Sequence, residues 1–452
     1  MVRRARESKG KFERLAERVA ARFVPIVTVI GVATFVGDWA YGSLERGLLA
    51  ALSVALIACP CALGLAAPLA IWSALGHAAR QQVLFRGGDA LERLADIKAV
   101  RFDKTGTLTD GTSTVSRYLT SSNDDSALIL EVAAELAKAS SHAMSRAVVA
   151  CALERAGADW ERTALVAIRV VPGRGVVGTR IETGDRVVFG SARFLSEERC
   201  AVPSELEGPL ENAESRGLPV TLIGWAGRIR GLFVFEERSR PLAPGVIDWL
   251  KRQSLDVRVL TGDHAARGRI IARCLGVAVD AEMLPDQKVA AIQQARSAIG
   301  PVAMVGDGIN DAPALSASDV GIALGCGTDV SRDSASVCLL GNDLSRIPWS
   351  IELARRTRRV ILWNLIWSFG YNGVGVAFAS LGWLNPALAA FLMVASGSIV
   401  TVNSLRLGRP FDVEIARSSF EQTDCPVGFG PENGDAPWPE LLDSVVMEAS
   451  AR

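Results

Sequence analysis

Two groups of residues in this chain have the types and spacing to do chemistry. In Asp103-Lys104-Thr105-Gly106-Thr107-Leu108-Thr109 a carboxylate follows the apolar run Ala99-Val100-Arg101-Phe102 and precedes a glycine-containing turn. A carboxylate just beyond a strand end in an α/β sheet stands where such sheets bind ligands, and there Asp103 is a nucleophile for a phosphoryl group. The second group is Cys59-Pro60-Cys61, inside an uncharged run from Gly47 to Gly76. On a regular helix two residues at this spacing point to nearly opposite sides. Pro60 removes an amide donor and clashes with the preceding turn, so the helix is expected to kink or unwind. Unwinding inside a bilayer is tolerated where backbone faces protein or a water-lined cavity, as along an ion pathway. Two thiolates suit Cu(I) above all and zinc-like ions less selectively. The plainer alternative is two small buried cysteines beside a kink. A disulfide is not expected of a membrane-buried pair in a reducing setting.

The elements that must position these groups are of two kinds. Hydrophobic residues make up 49% of the chain, while 49 Lys and Arg balance 49 Asp and Glu, so neither nucleic acid nor an acidic surface is indicated as a partner. Hydrophobic runs predict spans of a lipid bilayer at Phe23 to Trp39, Gly47 to Trp72, Val360 to Leu381 and Asn385 to Leu405. The last two read as a hairpin, because no charged residue lies between Arg359 and Arg406 and Gly382 to Pro386 supplies a turn. Arg14, Arg18, Arg22, Arg80, Arg86, Arg355 to Arg359, Arg406 and Arg409 flank one side of all four spans. Both termini and the large central loop are therefore expected in the cytoplasm, around a cell-membrane protein. Within that loop, Val257 to Leu260 leads to Thr261-Gly262-Asp263, and Val302 to Val305 leads to Gly306-Asp307-Gly308-Ile309-Asn310-Asp311. No Walker A pattern occurs, so ATP is not expected in a P-loop.

The heptapeptide at Asp103 resembles the signature of the P-type ATPases, ion pumps that pass through an aspartyl-phosphate. The resemblance implies a haloacid-dehalogenase-like, doubly wound α/β phosphorylation domain with ATP and Mg²⁺ as cofactors. In that wider superfamily the residue two beyond the nucleophile is often an Asp serving as general acid/base. Here it is Thr105, so the acyl phosphate is expected to hydrolyse slowly and persist. With Lys104, the residues Thr261, Gly262 and Asp263 are expected to hydrogen-bond phosphoryl oxygens. Asp307 beside Asp103 is expected to hold Mg²⁺, Lys288 to neutralise the transferring group, and Asn310 and Asp311 to complete the site.

The span bearing Cys-Pro-Cys resembles that of the heavy-metal pumps. Asn364, Tyr371 and Asn372 in the third span, with Met393 and Ser396 in the fourth, resemble residues of the Cu(I)-selective subgroup. No carboxylate lies in either span, which favours Cu(I), with Ag(I) as a mimic, over a divalent ion. The subgroup's Met-x-x-Ser-Ser reads Met393-Val394-Ala395-Ser396-Gly397 here. Tyr and Asn in a buried span serve equally well as helix-helix glue.

An insertion at 114–237 is expected to be a nucleotide-binding domain, read as two helices and then strands. Gly173-Arg174-Gly175-Val176-Val177-Gly178 is a literal G-x-G-x-x-G, but the following Thr179 to Glu182 alternates like a strand and opens no helix. The resemblance instead places adenine against His142, Gly173 and Gly175. Ala143 stands where the family has Pro, and His142 as a plain helix cap or surface residue remains an alternative. His77 and His264 carry no comparable context.

The expected organisation is a basic helix at 1–22, two spans at 23–76, the phosphorylation domain at 77–113 and 238–355, two spans at 356–407, and a mobile tail at 408–452. The family's Thr-Gly-Glu actuator loop has no counterpart, since Thr183-Gly184-Asp185 lies in the insertion, and no Cys-x-x-Cys occurs. The expected function is ATP-driven Cu(I) export, with the ion delivered by a copper chaperone. The alternative is a remnant or half-pump that binds ATP and metal but needs a separate chain carrying the actuator domain.

Overall fold

The structure, a computed structural model, describes residues 11–59, 61–122, 124–140, 142–156, 165–171, 174–308, 311–325 and 333–415. In chain order the strands are β1 (Val83–Phe85), β2 (Ala99–Asp103), β3 (Thr109–Thr120), β4 (Leu165–Val171), β5 (Gly175–Arg180), β6 (Arg186–Gly190), β7 (Val220–Trp225), β8 (Arg228–Ser239), β9 (Asp256–Leu260), β10 (Ala278–Asp280), β11 (Val302–Gly306), β12 (Val320–Leu324) and β13 (Val337–Leu339). The chain divides into two compact units, one of residues 1–101, 248–256 and 285–416, the other including 102–247 and 257–284. The division passes through β2 and β9.

In the first unit β11, β12 and β13 run parallel and β1 closes the edge antiparallel to β13. Every residue of β11 and β12 is buried, as expected of parallel strands covered on both faces. The start of β2 lies beside this group, where the Lys98 and Ala99 amides donate to the Pro301 carbonyl and the Asp256 amide donates to the Lys98 carbonyl. Arg101, buried at 3% exposure, pairs with Asp256 at 2.6 Å. That ion pair closes the otherwise apolar base of β2.

The same unit holds the long apolar helices, of which Ala21–Ala40, Arg346–Ser380 and Pro386–Gly408 are long and apolar enough to cross a membrane. The run expected as one span from Gly47 to Trp72 is two helices, Leu44–Ile57 and Cys61–Arg80, with Ala58 and Cys59 outside both. Ser43 caps the first of these by accepting from the Arg46 amide. Ala66, Ala67 and Ala70 pack against Ile361, Leu365 and Val400, small residues letting helix backbones approach. Gly375 is required for the same reason: a Cβ there would stand 2.4 Å from Ile57 Cγ1, beside the break.

In the second unit the end of β2 continues into β9 and β10, which pair in parallel. A six-stranded antiparallel sheet, ordered β3-β8-β7-β6-β5-β4, forms the insertion. Its β8 alternates cleanly: Phe233 and Phe235 join the helices Ser126–Ala137 and Ala143–Ala156 on one face, while Leu232 and Val234 join Ala192–Glu197 and Ser204–Ser215 on the other. Contrary to the order read from the sequence, the insertion opens with the twelve-residue strand β3, paired with β8 from Thr109↔Ser239 to Thr120↔Gly231. The apolar residues Val115, Tyr118 and Leu119 do not alternate, because a register shift between Val115 and Arg117 leaves Val115 and Tyr118 on one face and Leu119 on the other.

Candidate active site

Asp103 ends β2, whose five residues are all buried, and is itself 5% exposed. The chain then turns through Gly106 at φ +73, a left-handed conformation that costs a glycine little. The Thr109 hydroxyl braces this turn, accepting from the Gly106 amide at 3.1 Å and donating to the Lys104 carbonyl at 3.3 Å. Lys104 points back into the second unit at 2% exposure, with Nζ 2.6 Å from Asp263 and 2.7 Å from Glu237. The Glu237 oxygen lies off the direction of a good hydrogen bond, so that contact is electrostatic. Arg267, also buried, sets its Nε 3.5 Å from Asp263, too far for a hydrogen bond but close enough to share its charge. A small cleft lined by Lys104, Thr109, Glu237, Ser239 and Arg267 lies behind this lattice, and Asp103 is not among its walls.

Thr261 and Gly262 stand just beyond β9. The Thr261 hydroxyl accepts from the Asp263 amide at 3.1 Å, which orients it while leaving its proton available to an anionic oxygen. Gly262 is exposed and Thr105 is exposed, so neither adds bulk over the turn. His264 caps the helix Ala265–Leu275, its Nδ1 accepting from the Ala266 amide.

Sequence reasoning missed Glu237 and Arg240, which leave β8 far along the chain from Asp103 but return beside its loop. The Arg240 amide donates to the Leu108 carbonyl, and its guanidinium donates to the carbonyls of Thr107 at 2.9 Å and Gly106 at 3.2 Å. Burial draws this guanidinium below the ordinary arginine range while Asp110 opposes the shift, and it stays protonated. Each charge-assisted bond to a carbonyl is worth about 1.5–3 kcal/mol, so Arg240 holds the turn that aims Asp103. Arg240→Ala is expected to slow phosphorylation of Asp103 by about a hundredfold with nucleotide affinity unchanged, and Arg240→Lys to recover part of the loss. Rapid-quench labelling beside nucleotide titration checks this, and an unchanged labelling rate would refute it.

In the first unit Asp307 follows β11, and Lys288 bonds Asp311 at 2.7 Å. Asp311 is 1% exposed, and its other oxygen has no hydrogen-bond partner among the described residues. Carboxylates are hard oxygen donors of the kind Mg²⁺ takes one or two of beside phosphate oxygens, and Asp307 just beyond β11 is of that kind. Asn310 lies outside the described residues.

In the insertion His142 is exposed, and its Nδ1 accepts from the Met144 amide at 3.4 Å at the start of the helix Ala143–Ala156. That is the capping role, and it occupies one ring nitrogen. Gly175 has a reason unrelated to ligand: a Cβ there would stand 2.1 Å from the Phe189 carbonyl oxygen on β6. Gly173 lies outside the described residues.

Among the long helices, Cys59 stands half-buried after the first helix ends, whereas Cys61 opens the next helix and its side chain lies outside the described set, as does Pro60. Cys59 is disulfide-bonded, which corrects the expectation of free thiols: leaving the helical path releases its sulfur from the position a helix would impose. Ser396, 3% exposed, accepts from the Trp367 indole N–H at 3.2 Å. The Tyr371 hydroxyl is buried with no partner among the described residues; Asn372 is buried and Met393 half-buried. Asn364 serves as glue, donating to Ser404 at 3.0 Å and accepting from Asn403 at 2.8 Å. Among the described residues no three His, Cys, Asp or Glu side chains cluster as a metal site.

A haloacid dehalogenase-like hydrolase family matches residues 97–319. The chain is 39% identical over 412 residues to a protein of Mycobacterium tuberculosis named probable copper-exporting P-type ATPase V, covering 90% of this chain and 53% of that protein. It is 37% identical over the same length to a copper-exporting P-type ATPase of Staphylococcus aureus, covering 50% of it. The chain thus spans about half the length of the curated relatives it matches. Among solved structures, a zinc-transporting PIB-type ATPase in an E2.Pi state matches with a TM-score of 0.74 at 30% identity, over 88% of this chain and 67% of that one.

Proposed function

Since this chain belongs to the heavy-metal, PIB class of P-type ATPases, we propose that it performs the phosphorylation half-reactions of an ATP-driven Cu(I) pump. In this reading ATP transfers its γ-phosphoryl to Asp103, the Thr261 hydroxyl and the Gly262 amide hydrogen-bond phosphoryl oxygens, Lys104 and Asp263 pair to hold that loop against the Asp103 turn, Lys288 offsets charge on the transferring group, and Asp307 holds Mg²⁺. The insertion 114–237 binds nucleotide through the face bearing His142. The observation that carries the reading is Asp103: a carboxylate closing a fully buried strand, followed by a left-handed Gly106 turn that the Thr109 hydroxyl and the Arg240 guanidinium hold in place.

The choice of Cu(I) over the divalent ion named for the zinc-transporting neighbour rests on donor chemistry. The buried polar side chains of the third and fourth long helices include Asn364, Ser368, Asn372, Ser396 and Ser404, and between Arg359 and Arg406 there is no carboxylate. Soft sulfur donors at Cys59, Cys61 and Met393, in a carboxylate-free setting, suit a monovalent soft ion, with Ag(I) as its mimic. Export from the cytosol, delivery by a chaperone and placement in the plasma membrane are part of the same proposal.

Acid-stable labelling of the purified chain by γ-labelled ATP tests this reading. Label is expected to rise at least about tenfold with Cu(I) and to persist for minutes. Label that forms equally well with Zn²⁺ in place of Cu(I) would overturn the choice of ion, and no label under any condition would overturn the phosphorylation reading.

A further inference from the structure

Sixteen residues beyond Cys61 on the same helix, His77 is buried at 3% exposure, and its Nε2 has no hydrogen-bond partner among the described residues. It does not face solvent, as an incidental surface histidine would. Trp349, near the start of the helix Arg346–Ser380, sets its ring 5.4 Å from the imidazole. The second wall is Phe411, from the segment that follows the last long helix, 5.9 Å from His77. Trp349 and Phe411 stack at 5.2 Å and 9°, and the indole N–H donates to the Phe411 carbonyl at 3.2 Å. The Arg356 guanidinium lies 4.1 Å from the centre of the Phe411 ring. Arg80 reaches the Gly408 carbonyl at 3.4 Å.

These contacts form a seat with a definite occupant. Stacking and a cation over a ring face are each favourable, and a side-chain bond to main chain fixes register. We propose that residues 408–411 are an intramolecular latch: Phe411 docks between Trp349 and Arg356, over His77, and ties the Arg80 end of the Cys59/Cys61 helix pair to the helix Arg346–Ser380. The latch is poised rather than locked, because docking leaves the His77 nitrogen buried without a partner, and undocking returns it to water. Burial first, and Arg80 second, hold His77 below the ordinary imidazole range, which keeps the docked ring neutral. An open latch frees the ion-site helix to shift against its neighbour, so the state of this contact sets how firmly Cys59 and the helix after it are coupled to the rest of their unit.

Hydrogen–deuterium exchange of the full chain in nanodiscs tests the proposal without reference to transport or phosphorylation. In Phe411→Ala, amides at 74–80 and 346–352 are expected to exchange about tenfold faster, with those at 54–57 unchanged. Trp349→Phe, which removes the indole donor and keeps a ring, is expected to give a smaller increase. His77→Phe removes the unsatisfied nitrogen and is expected to slow exchange at 74–80. Unchanged exchange at 74–80 in Phe411→Ala, or faster exchange there in His77→Phe, would overturn the latch, and neither result bears on the phosphorylation reading.

Discussion

Asp103→Asn is expected to reduce acid-stable label from γ-labelled ATP to background, a loss of at least about a thousandfold, while the protein stays folded. The carboxamide is close in size to the carboxylate and fits the same 5%-exposed position at the end of β2, but it has no nucleophilic oxygen to form the acyl phosphate. No neighbouring group takes over. Lys104 is committed to Asp263 and Glu237, and the exposed Thr105 is a hydroxyl without an adjacent base on its own turn. Because Arg240 and Thr109 brace the turn through backbone groups, the substitution leaves that scaffold intact, and thermal unfolding is expected to move by no more than about 1 kcal/mol. Normal label in Asp103→Asn would remove the basis for the assignment. Lost label accompanied by a collapsed melting transition would instead make Asp103 a structural carboxylate.

How much of this was legible in the sequence depends on how local each signal is. The strand before Asp103, the strand before Thr261 and the strand before Asp307 were readable because a short apolar run ending in Asp or Thr-Gly carries its own boundary. The break at Cys59 was readable because proline's missing donor is a property of one residue. The lattice around Lys104 was not, since Glu237, Arg240 and Arg267 meet it only after the insertion has returned along β8, and nothing in their neighbours marks them. Charged residues near a strand end read as solvated loop until the fold brings them to one place. The membrane partners fared in the same way. Ser396 was named by its resemblance to a motif, whereas Trp367, which donates to it across two helices, and Asn403, which bonds Asn364, need the packing of the helices to be seen. His77 was passed over for lack of sequence context, and its setting comes from residues 272 and 334 positions away. Polar spacing along one helix is silent about partners on another.

Cys59→Ser is expected to make phosphorylation independent of soft metal and to weaken Ag(I) binding by more than about a hundredfold, beyond the 10- to 100-fold typical of losing a group that merely supports a ligand. The substitution exchanges a soft thiolate for a hard hydroxyl at nearly constant volume, and a soft monovalent ion discriminates strongly between them. It is made in a break where Cys59 is already off the helical path and half-buried, so helix propensity is not at stake. The disulfide at Cys59 adds a second arm. A sulfur in a disulfide cannot supply the thiolate a soft ion needs, so protein purified oxidised should bind no Ag(I), and the same protein reduced and then freed of reductant should bind it. Ag(I) is the probe because it needs no reductant to hold its oxidation state. In Cys59→Ser the two preparations should behave alike. If reduction changes nothing in the wild type, or if Cys59→Ser binds Ag(I) as tightly as the reduced wild type, the ion site lies elsewhere and Cys59 is a structural cysteine beside a kink.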